Sequence, residues 1–110
     1  MTLAEFKQLV VAAIAQYFPN SRWNLAEQHG IELQGRIVID EEIFISVYHS
    51  IATDKTSYSL IVAGKRVFGY DNYRSWHRHP LEYPDQHIAC SEPSPEQVIH
   101  EMSQIINQKS

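Results

Sequence analysis

The chain has 110 residues, near the common size of one domain, and 44% of them are apolar, enough for a real hydrophobic core rather than a disordered chain. Its formal charge of −4 excludes a protein whose whole surface binds polyanions without discrimination. The one cysteine, Cys90, excludes an internal disulfide framework and fits a reducing compartment.

Thr2 to Phe18 predicts a helix. Thr2 serves as N-cap, with Glu5 three residues later to complete a capping box. Leu3, Phe6, Leu9, Val10, Ala13, Ile14, Tyr17 and Phe18 form one apolar stripe at helical spacing, and Pro19 ends it. The stripe lacks the flanking basic residues of an interfacial helix, so it reads as a core face. Glu5 and Lys7 interrupt any apolar leader, and no run approaches the roughly 18 apolar residues of a membrane span. The expectation is a cytoplasmic protein with no membrane partner.

Residues 20–30 give no firm element: Asn20 or Ser21 caps a short turn, and His29-Gly30 reads as another. A β-rich run follows. Ile31, Leu33, Ile37 and Ile39 alternate with Glu32, Gln34, Arg36 and Val38, and Asp40-Glu41-Glu42 turns the chain. Residues 43–51 and 57–63 are the next strands. Ala63-Gly64-Lys65 is a tight hairpin, and Lys65–Tyr70 is the fourth strand. Beyond Tyr73 there is room for one short extended piece between Pro80, Pro84 and Pro93. Ser94 then caps a helix with Pro95 at its first position and Gln97 completing a second capping box; Val98, Ile99, Met102, Ile105 and Ile106 form its apolar side, and its polar end frays from Asn107. Residues 1–110 are expected to form a single α+β domain. It comprises an antiparallel meander of about four strands, with the N- and C-terminal helices packed on one face.

The stretch from Gly64 to Ile88, GKRVFGYDNYRSWHRHPLEYPDQHI, does not read as scaffold. Between residues 65 and 79, Lys65, Arg66, Arg74 and Arg78 are balanced only by Asp71, a local basic patch on an acidic body. Tyr70 and Trp76 are aromatic anchors for a surface site. Pro80 holds His79 extended; with His77 extended as well, the two imidazoles share one side and Arg78 takes the other. Two such rings can bind a metal with a third ligand, or act as general acid and base. Asp85 and His87 repeat the same spacing and offer that ligand, so His77, His79, His87 and Asp85 are the metal candidates. Asp71 and Asn72 also suit plain strand-end turn chemistry. Arginines interleaved with aromatics fit a nucleic-acid surface, since guanidinium groups hold phosphates and rings stack on unpaired bases. His29, His49, His100 and Cys90 read as structural.

Residues 57 to the C-terminus resemble the TumE-like family of toxin–antitoxin proteins. The resemblance is carried by the strand ending in Gly69-Tyr70-Asp71-Asn72, by His77-Arg78-His79 after it, and by the closing helix led by Ser94. It extends more loosely to the Ile43–Tyr48 strand. It implies a toxin-like protein with a cognate antitoxin as partner, and points to Asp71, Asn72, His77, Arg78 and His79. The expectation formed from both lines is an RNA endonuclease with Asp71, His77 and His79 as catalytic residues. Tyr70, Asn72, Arg74, Trp76 and Arg78 would bind substrate. In one version an imidazole takes the 2′-hydroxyl proton while the other protonates the leaving oxygen, without a cofactor. In the other a divalent metal is held by His77, His79 and a carboxylate. The competing expectations are a non-catalytic module whose basic-aromatic loop docks protein or nucleic acid, and a homodimer paired through an edge strand.

Overall fold

The computed structural model describes residues 1–108. Helix α1 spans Leu3–Tyr17, strands β1 to β5 span Arg22–Gln28, Glu32–Val38, Ile43–Ser50, Lys55–Val62 and Lys65–Asp71, β6 is His77–His79, β7 is Ile88–Ala89, and helix α2 is Pro95–Gln108. The strands form one antiparallel sheet in sequence order, β1 to β7. Both helices close on the same face of it.

The sheet therefore has seven strands where the sequence suggested about four. The strand that escaped notice at the N-terminal edge is β1. In Arg22–Gln28 only Leu25 is buried, so the segment carries no alternation to detect. It exists because its backbone pairs with β2 along its whole length. Gly35 makes the pairing possible, since a Cβ there would collide with the Asn24 carbonyl. At the other edge, β6 and β7 are too short to give a periodic signal, and they pair as His77↔Ala89 and Arg78↔Ile88.

Local signals placed the rest. Thr2 and Glu5 form the reciprocal capping box of α1. At α2, Gln97 N–H donates to Ser94 Oγ, but the Gln97 side chain turns forward to Glu101 instead of closing a second box. That helix runs to Gln108, so no fraying begins at Asn107; residues 109 and 110 lie outside the described residues. Ala63 and Gly64 both have positive φ, 50° and 80°, as a two-residue type I′ hairpin requires.

One sheet face carries Leu33, Ile37, Ile45, Val47, Leu60, Tyr58, Phe68 and Tyr70, and it packs on Leu3, Phe6, Val10 and Ile14 of α1 and Val98, Ile99 and Met102 of α2. Each fully buried residue of this set stabilises the fold by about 1.5–3 kcal/mol through removal of its side chain from water. Among the described residues, the other face has no helix over it. Two cross-strand rows run along it, Gln34–Tyr48–Ser57–Asp71–His77 and Arg36–Ser46–Ser59–Gly69–His79. Burial of the hydrophobic face by the helices thus fixes, through the period of two, which side of β5 and β6 is left for chemistry.

Candidate functional site

Asp71 is the last residue of β5 and stands directly opposite His77 of β6. Gly69, two residues earlier, stands opposite His79. Residues two apart on a strand share a face, so the three side chains Asp71, His77 and His79 converge at the open side of the sheet. Asp71 Oδ1 is 3.0 Å from His77 Nε2 and Asp71 Oδ2 is 3.0 Å from His79 Nε2. One carboxylate spans two imidazoles. Oδ1 also accepts the Tyr73 N–H at 3.0 Å, which fixes the carboxylate at the strand end.

The far side of each ring is tied to the backbone. His77 Nδ1 is 3.0 Å from the Ser75 carbonyl and His79 Nδ1 is 3.0 Å from the Pro84 carbonyl. A carbonyl oxygen can only accept, so each Nδ1 carries a proton and each Nε2 is turned inward. The Pro80–His87 loop makes this possible. Turns at Pro80–Tyr83 and Tyr83–Gln86 fold it back over the sheet, bringing Pro84 onto His79 and, at 3.4 Å, onto the Arg66 guanidinium. The loop covers His79, which is 1% exposed, and leaves His87 exposed with its ring 4.7 Å from that of His77 and 4.6 Å from that of His79.

Burial alone would raise the Asp71 carboxyl. The His79 hydrogen bond, the Tyr73 N–H and the two nearby imidazoles outweigh it and hold Asp71 below the ordinary carboxylate value. It is therefore an anion at neutral pH. The His77 contact differs from the His79 one. Its Nε2 is close to Oδ1 but not aligned as a hydrogen bond, leaving a buried nitrogen without a hydrogen-bond partner. Such a group is costly in a folded protein and calls for an explanation.

These residues sit in a cleft of about 270 Å³ that Lys55, Ser57, Arg66 and Tyr73 complete. Lys55 and Arg66 are exposed cations at its rim. Arg66 was legible as part of the basic patch. Lys55 and Ser57 were not singled out from the sequence, because only the β4–β5 register, Ser57↔Asp71, brings them there.

The remaining sequence candidates go elsewhere. Tyr70 and Arg78 pair across β5 and β6 on the helix-covered face, and the Tyr70 hydroxyl donates to Glu101 Oε1 at 2.6 Å. Burial and that carboxylate push the Tyr70 hydroxyl well up. Asn72 is a staple: its Oδ1 accepts the Thr56 N–H and its Nδ2 donates to the Asp54 carbonyl. Arg74, at φ 69°, forms the turn before β6, with its guanidinium 5.6 Å from the Tyr73 ring. Trp76 lines a separate cavity of about 310 Å³ with His49, Thr56 and Glu92. Asp85 is exposed and does not join the cluster. Among the described residues, the one group of three or more metal-ligating side chains is His77, His79 and His87.

No family model, curated protein or solved structure matches this chain.

Proposed function

We propose that the protein is a toxin-like ribonuclease of a toxin–antitoxin pair, and that it cleaves RNA in the cleft containing Asp71, His77 and His79. The single observation that carries this reading is one ionised carboxylate bracketing two buried imidazoles at 3.0 Å, inside a cleft rimmed by Lys55 and Arg66. Titratable groups converging in a cleft are the mark of chemistry rather than of plain docking. The exposed cations suit the phosphate, and the open sheet face beyond them presents Ser46, Tyr48, Ser57 and Ser59, with Arg36 lying over the Phe44 ring, to the rest of a single strand.

In the reaction the 2′-oxygen bonds to the adjacent phosphorus and the bond from phosphorus to the 5′-oxygen breaks. One proton passes in net from the 2′-hydroxyl to the 5′-oxygen. The two imidazole centroids are 4.9 Å apart and share one carboxylate. That favours a single centre acting on the attacking oxygen over two rings placed on opposite sides of the phosphorus, because attack and departure are in line. Lys55 and Arg66 neutralise the phosphate as charge builds on it.

Induced expression of wild type and of Asp71→Asn tests this, read as growth and as total RNA on a gel, followed by incubation of each purified protein with RNA. Wild type is expected to arrest growth and cut RNA. Asp71→Asn is expected to fold and to cut at least about 100-fold more slowly, the scale on which acid–base groups contribute. Intact RNA at stoichiometric wild-type protein would sink the reading, and the open face would then stand as a docking surface whose partner co-purification should find. Co-expression with the neighbouring gene product tests the antitoxin: restored growth together with a stable complex is expected.

A further inference from the structure

We infer that His77, His79, His87 and Asp71 form a binding site for a divalent transition-metal ion, of which zinc is the best fit. This deepens the ribonuclease reading but rests on the side-chain cluster alone and survives if RNA is not the substrate.

The first observation is the ligand set. The ligating nitrogens of the three histidines lie within 4.8 Å of one another, and Asp71 oxygens lie 3.0 Å from two of them. In a tetrahedral zinc site with bonds of about 2.0–2.1 Å, neighbouring ligand atoms are about 3.3 Å apart. One Asp71 oxygen is already near that spacing from each buried imidazole, and the three histidine nitrogens are within 4.8 Å of one another. Binding draws the ligands together by about 1 Å, and His87, the exposed member carried on a loop, is the one freest to close in. Three imidazoles and a carboxylate match zinc and its first-row neighbours rather than magnesium or calcium, which take oxygen ligands.

The second observation is the direction of the lone pairs. Both Nδ1 atoms donate to backbone carbonyls, the support that metal-bound histidines characteristically have. In a neutral ring this leaves the lone pair on Nε2. His79 Nε2 hydrogen-bonds Asp71 Oδ2, while His77 Nε2, equally close to Oδ1, makes no hydrogen bond there. His77 Nε2 is the telling atom: its side chain is nine-tenths buried, it has no hydrogen-bond partner, and it faces into the cluster. A metal ion satisfies it. The competing resolution, protons on the Nε2 atoms, is what the experiment separates.

The site also accounts for the Pro80–His87 loop. Its fold over the sheet fixes the His79 tautomer through Pro84 and delivers His87 to the third position. With four protein ligands a bound ion would have no open position, so its part would be to hold the cluster and the Pro80–His87 loop in place.

The test is titration of chelator-stripped full-length protein with Zn²⁺ by calorimetry, and with Co²⁺ by visible absorption, which reports tetrahedral coordination directly. One ion per chain is expected, with intense tetrahedral Co²⁺ bands. His87→Ala should weaken binding by more than the roughly 10–100-fold that outer partners alone are worth. Because His87 is exposed, this variant should keep the wild-type fold, checked by circular dichroism. Asp71→Asn should weaken binding similarly, and His29→Asn, at a distant turn, should leave it unchanged. Absence of stoichiometric binding, or binding equally tight in His87→Ala, would overturn the metal site. RNA cleavage assays on the same samples keep the two readings apart. Tight metal binding with intact RNA removes the ribonuclease and keeps the site. RNA cleavage that a chelator does not slow, with no metal bound, does the reverse.

Discussion

Replacing Asp71 in two ways separates what its carboxylate holds together from what the proposed reaction requires of it. Asp71→Ala removes the acceptor of the Tyr73 N–H and both imidazole contacts. His79 Nε2, on a side chain 2% exposed, is then stranded without a partner. An orphaned buried polar group costs about 1–3 kcal/mol, and the lost strand-end hydrogen bond about 0.5–1.5 kcal/mol, at the low end because Tyr73 is exposed and its N–H can reach water. The sum is about 1.5–3.5 kcal/mol. Asp71→Asn keeps an oxygen for Tyr73 and a polar amide group beside His79 Nε2, so it should cost no more than about 1 kcal/mol. The difference between the two variants is about 2 kcal/mol, or about 8 °C in melting temperature for a domain of this size. Urea and thermal unfolding followed by circular dichroism, in the presence of a chelator, measure it. Both variants should be equally unable to cut RNA. Equal stability of Ala and Asn variants would show that Asp71 does not clamp the rings, and full activity in Asp71→Asn would remove it from the chemistry.

Tyr70→Phe should cost about 1–2 kcal/mol, since it removes the 2.6 Å hydrogen bond to Glu101, a carboxylate only partly buried; RNA cleavage should be unchanged, because Tyr70 faces α2, and a large rate loss would return it to the site. Gly35→Ala should destabilise the protein by several kcal/mol, measured by urea unfolding, because the new methyl meets backbone of β1 that cannot move aside; an unchanged midpoint would mean that β1 is not paired as described. Burial holds His49 below its ordinary pKa, outweighing the carboxylates of Asp54 and Glu92, with the N-terminal amine adding to the depression. The unfolded chain therefore takes up this proton more readily, and the stability His49 contributes is present above about pH 6.5 and lost as pH falls below it. Unfolding midpoints from pH 7.5 to 5.5 should fall more steeply in wild type than in His49→Gln, and parallel curves would refute the assignment.

The amino-acid pattern alone determined the two helices and the four central strands, because each carries an apolar period that local chemistry reinforces. Thr2 and Glu5 cap α1, Ser94 and Pro95 open α2, and Ala63-Gly64 turns β4 into β5. It also brought His77 and His79 under suspicion, since a period of two puts them on one side once the segment is extended. What it did not carry was β1, whose single buried residue gives no rhythm, or β6 and β7, which are shorter than any detectable period. The site was legible as a list of residue types and not as a place. Asp71, Tyr70 and Asn72 look alike as strand-end polar and aromatic residues, yet pairing with β6 and burial by α2 send Asp71 to the imidazoles, Tyr70 to Glu101 and Asn72 to the Thr56 backbone. Lys55 and Ser57 join through strand register, and of the two loop candidates it is His87, not Asp85, that the folded-back loop brings beside the buried rings. Register and the choice of buried face are properties of the whole sheet, set by contacts between segments far apart in the chain, so only the tertiary structure could decide them.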